Sequence, residues 1–205
     1  MAAHLPRLLV LTDRRLAAQA GHSLPALVST LSGLDVAVVL REKELPWEER
    51  AALGREVAAA ARDAGVPLLV ASSVDLALEL GAAGVHLAAA DAPASGGLVG
   101  RSCHGASELA HAAAEGADYA TLSPIFPTPT KPGYGPALGL DALARLVRGA
   151  QLPVYALGGI GRGRAAACVD AGAHGVALCG AVMHAREPTA FLTDLLEELR
   201  GRTSQ

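Results

Sequence analysis

Short runs rich in Val, Leu and Ala alternate along this chain with longer Ala/Leu-rich amphipathic runs, and that alternation restricts the possible folds more than any other feature. Strands are predicted at Leu8–Thr12, Val36–Arg41, Pro67–Ala71, Gly84–Leu87, Leu98–His104, Tyr119–Phe126, Pro153–Gly158 and Gly175–Cys179. Helices are predicted near Ser23–Ser32, Pro46–Ala64, Val74–Gly81, Ala106–Glu115, Leu140–Arg148, Arg162–Ala171 and Pro188–Arg200. The fourth strand is the exception, because it runs into AAADAPASGG, too short and too rich in small residues for a helix. β/α alternation implies parallel strands joined by right-handed crossovers. Eight such units in 205 residues fit an α/β single-domain (β/α)8 TIM barrel over residues 1–205. A doubly wound open sheet is the competing architecture, disfavoured because LTDRRL stands where a GxGxxG turn would follow the first strand. The phrases GAAGVHLA, EGADYATL and GAHGVALC support a repeating unit, and no linker divides the chain.

Composition removes several functional classes. With 51% hydrophobic and 18% charged residues the chain can bury a full core, and a net charge of −3 offers no footprint for nucleic acid. No apolar run approaches the length of about 18 residues that spans a bilayer. The N-terminal apolar run Leu8–Leu11 leads straight into TDRR with no cleavage-like site, so a cytoplasmic protein is expected. Cys103, Cys168 and Cys179 lack CxxC spacing, which fits a reducing compartment and argues against a disulfide frame or structural zinc.

A barrel of this kind carries its active site at the C-terminal ends of its strands. After the sixth strand, SPIFPTPTKPGYGPALG interleaves prolines and glycines with Thr128, Thr130 and Lys131. Such a run can continue neither strand nor helix, and its hydroxyls and ammonium suit an anionic ligand. Period-two alternation puts Val39, Arg41 and Lys43 on one face, so two cations can converge on the barrel mouth. Gly158, Gly159 and the Cys179–Gly180 turn follow strands seven and eight, the usual phosphate site of such barrels. Gly100, Ser102 and His104 share a face and would bring a hydroxyl and an imidazole to the mouth, whereas His86 in GVHLA reads as a core histidine. Asp91 could hold a divalent cation, poorly without a second ligand or a substrate phosphate. Each feature also has a plainer reading: solvated charges, glycine helix caps, a histidine hydrogen-bonded at a strand end. No GxSxG or nucleotide P-loop is present.

Together and in this order, LTDRRL, LREK (Leu40–Lys43), VDLALELGAAGVHL (Val74–Leu87), SPIFPTPTKPG and ALGGI resemble the thiamine phosphate synthase and TenI family over nearly the whole chain. The resemblance implies a TIM barrel. It also implies one of two reactions: joining a hydroxymethylpyrimidine diphosphate to a thiazole phosphate, or, in TenI members, aromatising a thiazole carboxylate phosphate by moving a proton. By the same resemblance, Arg41 and Lys43 match the diphosphate-binding cations, and Thr128, Thr130 and Lys131 match the loop after the sixth strand. Gly158, Gly159, Cys179 and Gly180 match the thiazole-phosphate site, Ser102 a family serine, and Asp91 one of two magnesium-binding aspartates.

The departures separate the two reactions. Val39 stands where synthases have Gln, and Ala71 and Ser72 stand where they have Asn-Asp, so ring contacts and one magnesium carboxylate are missing. GRSCH and GYGPALG look more like TenI members. The expectation is therefore a TenI-type tautomerase needing no cofactor, with Ser102 or His104 moving the proton. Pro124 replaces a histidine proposed as proton carrier in a TenI member, which leaves the carrier open. The alternatives are a synthase using Mg2+ and a non-catalytic regulatory protein that binds a phosphorylated metabolite. The expected partner is a small phosphorylated thiazole, with no membrane or nucleic acid, and a homodimer would be unsurprising for a small barrel.

Overall fold

Eight four- to six-residue parallel strands close on themselves: β1 (Leu8–Leu11), β2 (Val36–Leu40), β3 (Leu68–Ala71), β4 (Gly84–Leu87), β5 (Leu98–Cys103), β6 (Tyr119–Leu122), β7 (Val154–Leu157) and β8 (Gly175–Leu178). The computed structural model describes residues 4–128 and 136–202. Each strand pairs with its sequence neighbour, and β1 closes the barrel on β8 with Leu8 opposite Val176. The expected (β/α)8 TIM barrel is the observed fold. Alternation divides the apolar residues into two cores. Leu9, Leu11, Ala37, Val39, Leu69, Ala71, Tyr119, Tyr155 and Ala177 fill the barrel interior. The other phase, including Leu8, Val10, Val38, Leu40, Val70 and Leu122, packs outward under the helices.

The helices are α1 (Arg14–Gln19), α2 (Leu24–Ser29), α3 (Trp47–Ala64), α4 (Val74–Glu79), α5 (Ala106–Ala114), α6 (Gly139–Gly149), α7 (Ala165–Asp170), α8 (Gly180–Met183) and α9 (Pro188–Leu199). No helix follows β4, as its small-residue tail implied. Two short helices were not foreseen. The first is started by Asp13, whose carboxylate accepts from the amides of Arg15 and Leu16. An acidic cap before RRLAAQA was the signal for it. The second, α8, is a single turn wedged between β8 and α9. The fifth and sixth strands end earlier than predicted, at Cys103 and Leu122. Pro124 has no amide to continue a ladder, and the chain beyond it bonds instead to the end of β7, with Ile125 N–H donating to Leu157 O and Phe126 N–H to Gly158 O. Cys103 and Cys168 are buried thiols and Cys179 is half-buried. Among the described residues no helix is long and apolar enough to cross a membrane.

The barrel interior has a tight spot that a single methyl group tests. Tyr119 lies opposite Gly100 in the β5–β6 register, stacks on His86 at 5.6 Å and meets Tyr155 edge-on at 5.3 Å. A Cβ on Gly100 would sit 2.1 Å from the Tyr119 ring. Gly100→Ala is therefore expected to destabilise the fold by about 2 kcal/mol through overpacking. An unchanged denaturant midpoint would mean that the ring has room to move.

Candidate active site

The mouth of the barrel is braced by an acid that reading by motif passes over. Glu42 lies two residues beyond β2 and is 1% exposed. It accepts from the Thr12 hydroxyl at 2.7 Å and from the Arg14 amide at 3.2 Å. The Arg41 amide in turn donates to the Thr12 hydroxyl at 2.9 Å. Burial pushes the Glu42 pKa up, and the Thr12 and Arg14 hydrogen bonds work against that shift. On α3, buried Arg50 donates to Ala71 O at 2.6 Å, and desolvation lowers its pKa while the charge of Glu42 opposes the shift. Thr12 and Arg14 of LTDRRL and Arg41 and Glu42 of LREK thus form one bracket joining β1 to β2, which holds the Arg41 backbone. An acidic residue set between two cations just past a strand end was the available signal.

Beside the bracket, three residues from three strand ends form a directed chain. The Lys43 ammonium donates to the Ser72 hydroxyl, and that hydroxyl donates to Asp91 Oδ2. The same oxygen accepts from the Ala88 amide at 2.7 Å. Burial acts to raise the Asp91 pKa, but the Ser72 and Ala88 hydrogen bonds and the Lys43 and Arg101 charges prevail, holding it below the usual carboxylate range. Arg101, 3% exposed on β5, fixes the turn that carries Asp91, with Nη1 donating to Ala88 O at 2.9 Å and Asp91 O at 2.6 Å. These donors do not fit a magnesium ion, which takes six oxygens in near-octahedral array. Only Asp91 supplies a carboxylate here, one of its oxygens already accepts two hydrogen bonds, and an ammonium is held on the neighbouring hydroxyl. Among the described residues no group of three His, Cys, Asp or Glu could hold a metal.

On the barrel interior the Ser102 hydroxyl meets His86 Nε2 at 3.0 Å, and His86 Nδ1 meets the Tyr119 hydroxyl at 3.1 Å. His86 is buried, and desolvation, followed by the Lys43 charge, lowers its pKa to about 4. It is a neutral core histidine that also aims Ser102. The ring predicted to share the Ser102 face, His104, falls one residue beyond β5. Its Nδ1 lies 2.9 Å from Glu108 Oε2, which also accepts the His104 amide. Strand phase, which the sequence argument extended to His104, no longer governs a residue outside the ladder.

A cavity of about 730 Å³ opens at the ends of β1, β6, β7 and β8. It gathers Arg41, Thr128, Gly158, Gly159, Cys179 and Gly180. Thr130 and Lys131 lie outside the described residues. Gly158 and Gly159 adopt φ of 103° and 63°. A Cβ on Gly159 would come within 2.5 Å of Pro127 O and 2.8 Å of Phe126 Cβ, so glycine here also lets the loop after β6 close on β7. At β8, Cys179 precedes the first turn of α8, where the leading amides have no intrahelical acceptor and can face an anion. Arg162 and Arg164, read from sequence only as part of a helix, also line the cavity. Arg164 donates to Gly159 O at 2.7 Å with its guanidinium 4.7 Å from the Phe126 ring centre, and Arg162 pairs with Asp194. The mouth therefore offers two stations for anions, Arg41 and Lys43 just past β2 and the glycine turns of β7 and β8, with β1 between them and Arg41 also lining the cavity of the turns.

Comparison with known proteins bears on what meets these stations. The family model described as thiamine monophosphate synthase matches residues 8–182. A putative thiamine-phosphate synthase of Geobacter sulfurreducens is 40% identical over 205 residues, covering 96% of this chain and 95% of its own. A thiamine-phosphate synthase of Methanoculleus marisnigri is 36% identical over 206 residues, covering 97% of each. The solved thiamine phosphate pyrophosphorylase of Pyrococcus furiosus superposes with a TM-score of 0.81 at 30% identity, covering 95% of this chain and 97% of that one. Sequence, fold and the motifs at the barrel mouth agree, and the chain belongs to the thiamine phosphate synthase and TenI family.

Proposed function

We propose that this enzyme joins a hydroxymethylpyrimidine diphosphate to a thiazole phosphate, giving thiamine phosphate and diphosphate. The observation that carries the reading is the pair of anion stations on one mouth. Two phosphorylated substrates need two anion sites, whereas aromatisation of one thiazole phosphate needs one. The names of the relatives also favour synthesis over the tautomerisation that the sequence departures suggested.

In this reading Arg41 and Lys43 receive the diphosphate, and the β7 and β8 turns receive the thiazole phosphate. The bond between the pyrimidine methylene carbon and the diphosphate oxygen breaks, its electron pair leaving with diphosphate. The thiazole nitrogen then forms the new C–N bond with its lone pair. Cations fixed at the leaving oxygens act where negative charge develops, the kind of preorganisation that lowers barriers most. Ser102, held by His86, supplies a hydroxyl for the pyrimidine ring.

A paired assay tests the reading. With both substrates the protein is expected to release thiamine phosphate, and with the thiazole carboxylate tautomer alone it is expected to show no turnover. Aromatisation only in the second tube would make the enzyme a tautomerase and return the question to Ser102 and His104. Tight binding of thiazole phosphate without turnover in either tube would make it a binding protein. Ser102→Ala is expected to lower kcat/KM for synthesis by about tenfold, the worth of one hydrogen bond near the reacting centre.

A further inference from the structure

The chain from Lys43 through Ser72 to Asp91 is more ordered than a pair of surface charges. Its central residue has φ of +52°, the only positive φ at a non-glycine residue among those described. Such a conformation is costly for a side-chain-bearing residue and persists only where its surroundings enforce it. Here the Ser72 amide donates to His86 O at 3.0 Å, tying the strained residue to β4. The strain places one hydroxyl so that it accepts from an ammonium and donates to a carboxylate at once. The arrangement has a direction: Asp91 orients the hydroxyl, and the hydroxyl orients the lysine.

The same arrangement opposes a divalent cation. A hydroxyl oxygen accepting from an ammonium has that positive charge directed at it and is a poor metal ligand. Asp91 Oδ2 already accepts from both the Ser72 hydroxyl and the Ala88 amide. A dication beside this carboxylate would also face the Lys43 ammonium and the Arg101 guanidinium, both close enough to depress the Asp91 pKa.

We infer that Lys43, held through Ser72 on Asp91, takes the charge role at the diphosphate station, and that this station binds diphosphate without recruiting a divalent cation. The inference rests on the proposed function for the identity of the anion, but its test does not depend on turnover. Lys43 contacts the anion, and Ser72 and Asp91 are positioning residues.

Titration calorimetry of the purified protein with inorganic diphosphate, in EDTA and in excess magnesium, is the first measurement. Binding in EDTA is expected, with magnesium changing the Kd by less than about threefold. Lys43→Met is expected to weaken binding by roughly tenfold, the loss of one charge-assisted contact. Paramagnetic titration with Mn2+ is the second. The wild-type protein is expected to show no tight manganese site, while Ser72→Asp, which restores a second carboxylate, gains affinity by roughly tenfold or more. If Ser72→Asp does not fold by circular dichroism, the wild-type titration and Lys43→Met decide the matter. Diphosphate binding that requires magnesium, or a tight wild-type manganese site abolished by Asp91→Asn, would overturn the inference. Magnesium-dependent synthesis of thiamine phosphate would overturn it while leaving the proposed function standing. No diphosphate binding in either solution would remove both.

Discussion

Arg101→Met is expected to cost the fold about 3 kcal/mol, the low end for breaking a buried pair, because Glu115 loses its buried partner and keeps only exposed contact with His111, at 3.0 Å. Arg101 sits in the helix-facing phase of β5, and its guanidinium reaches in two directions. Nη2 pairs with Glu115 at the end of α5, where the carboxylate side chain is only 15% exposed. Nη1 holds Ala88 O and Asp91 O. Methionine keeps much of the length and apolar stem but leaves two carbonyls without these donors and the carboxylate to His111 on the solvent side. At roughly 2–4 °C per kcal/mol for a chain of this size, the melting temperature is expected to fall by roughly 10 °C. Arg101→Met combined with Glu115→Leu removes both charges and is expected to recover part of the loss, as replacement of a whole buried pair often does. If the single and double variants melted alike, the pair would not be the source. The same substitution reaches the site, because the Ala88–Asp91 turn that presents the carboxylate to Ser72 loses its clamp. Weaker diphosphate binding by Arg101→Met, measured well below its melting temperature, is the functional counterpart.

What the sequence made legible follows from what is local. The barrel was readable because alternation within each strand and amphipathicity within each helix are properties of contiguous residues, and eight such units leave few ways to pair. The glycines at 158–159 and the Cys179–Gly180 turn were readable as a strand-end pattern, as was Arg41. The fixing of these groups was not readable, since it comes from residues far apart in the chain. Thr12 reaches Glu42 across 30 positions, and Ser72 reaches Asp91 across 19. The same Ser72 that reads in sequence as a lost magnesium carboxylate is in three dimensions the bridge between Lys43 and Asp91. Partnerships also depend on register. Ser102 finds His86 because β4 and β5 pair with His86 opposite Gly100, one inward step below Ser102. His104, expected to extend that row, has left the ladder and turned to Glu108.

Burial of His86 should appear as a loss of stability in mild acid. The ring is buried, and its pKa is lowered to about 4, first by desolvation and then by the Lys43 charge; Arg101 and Arg41 act in the same sense and Asp91 opposes them. Between about pH 4 and pH 6.5 the unfolded chain binds a proton at this histidine that the native state does not, so stability rises with pH across that window. It is lost as pH falls from about 6.5 to about 4 and levels off below, a total of about 3 kcal/mol for this one group. Asp91, with its depressed pKa, adds a loss of the same sign as pH falls through its own range. Glu42, with its raised pKa, contributes stability that is lost as pH rises and so offsets part of the slope. A denaturant series from pH 4 to pH 7 isolates the histidine when wild type is compared with His86→Gln, which cannot titrate and keeps an amide to meet Ser102. The variant is expected to be less stable at pH 7 and to show a flatter dependence below 6.5. Parallel curves would mean that His86 accepts a proton in the native barrel and that the lysine chain, Asp91 and the histidine share charge differently. A neutral ring has one N–H and one lone pair, so its two partners, Tyr119 and Ser102, take complementary roles, donor to one and acceptor from the other. Protonation would force both ring nitrogens to donate and would turn the Ser102 hydrogen outward. The acid limb of the stability curve and any acid limb of activity governed by Ser102 should therefore share their origin in the same imidazole.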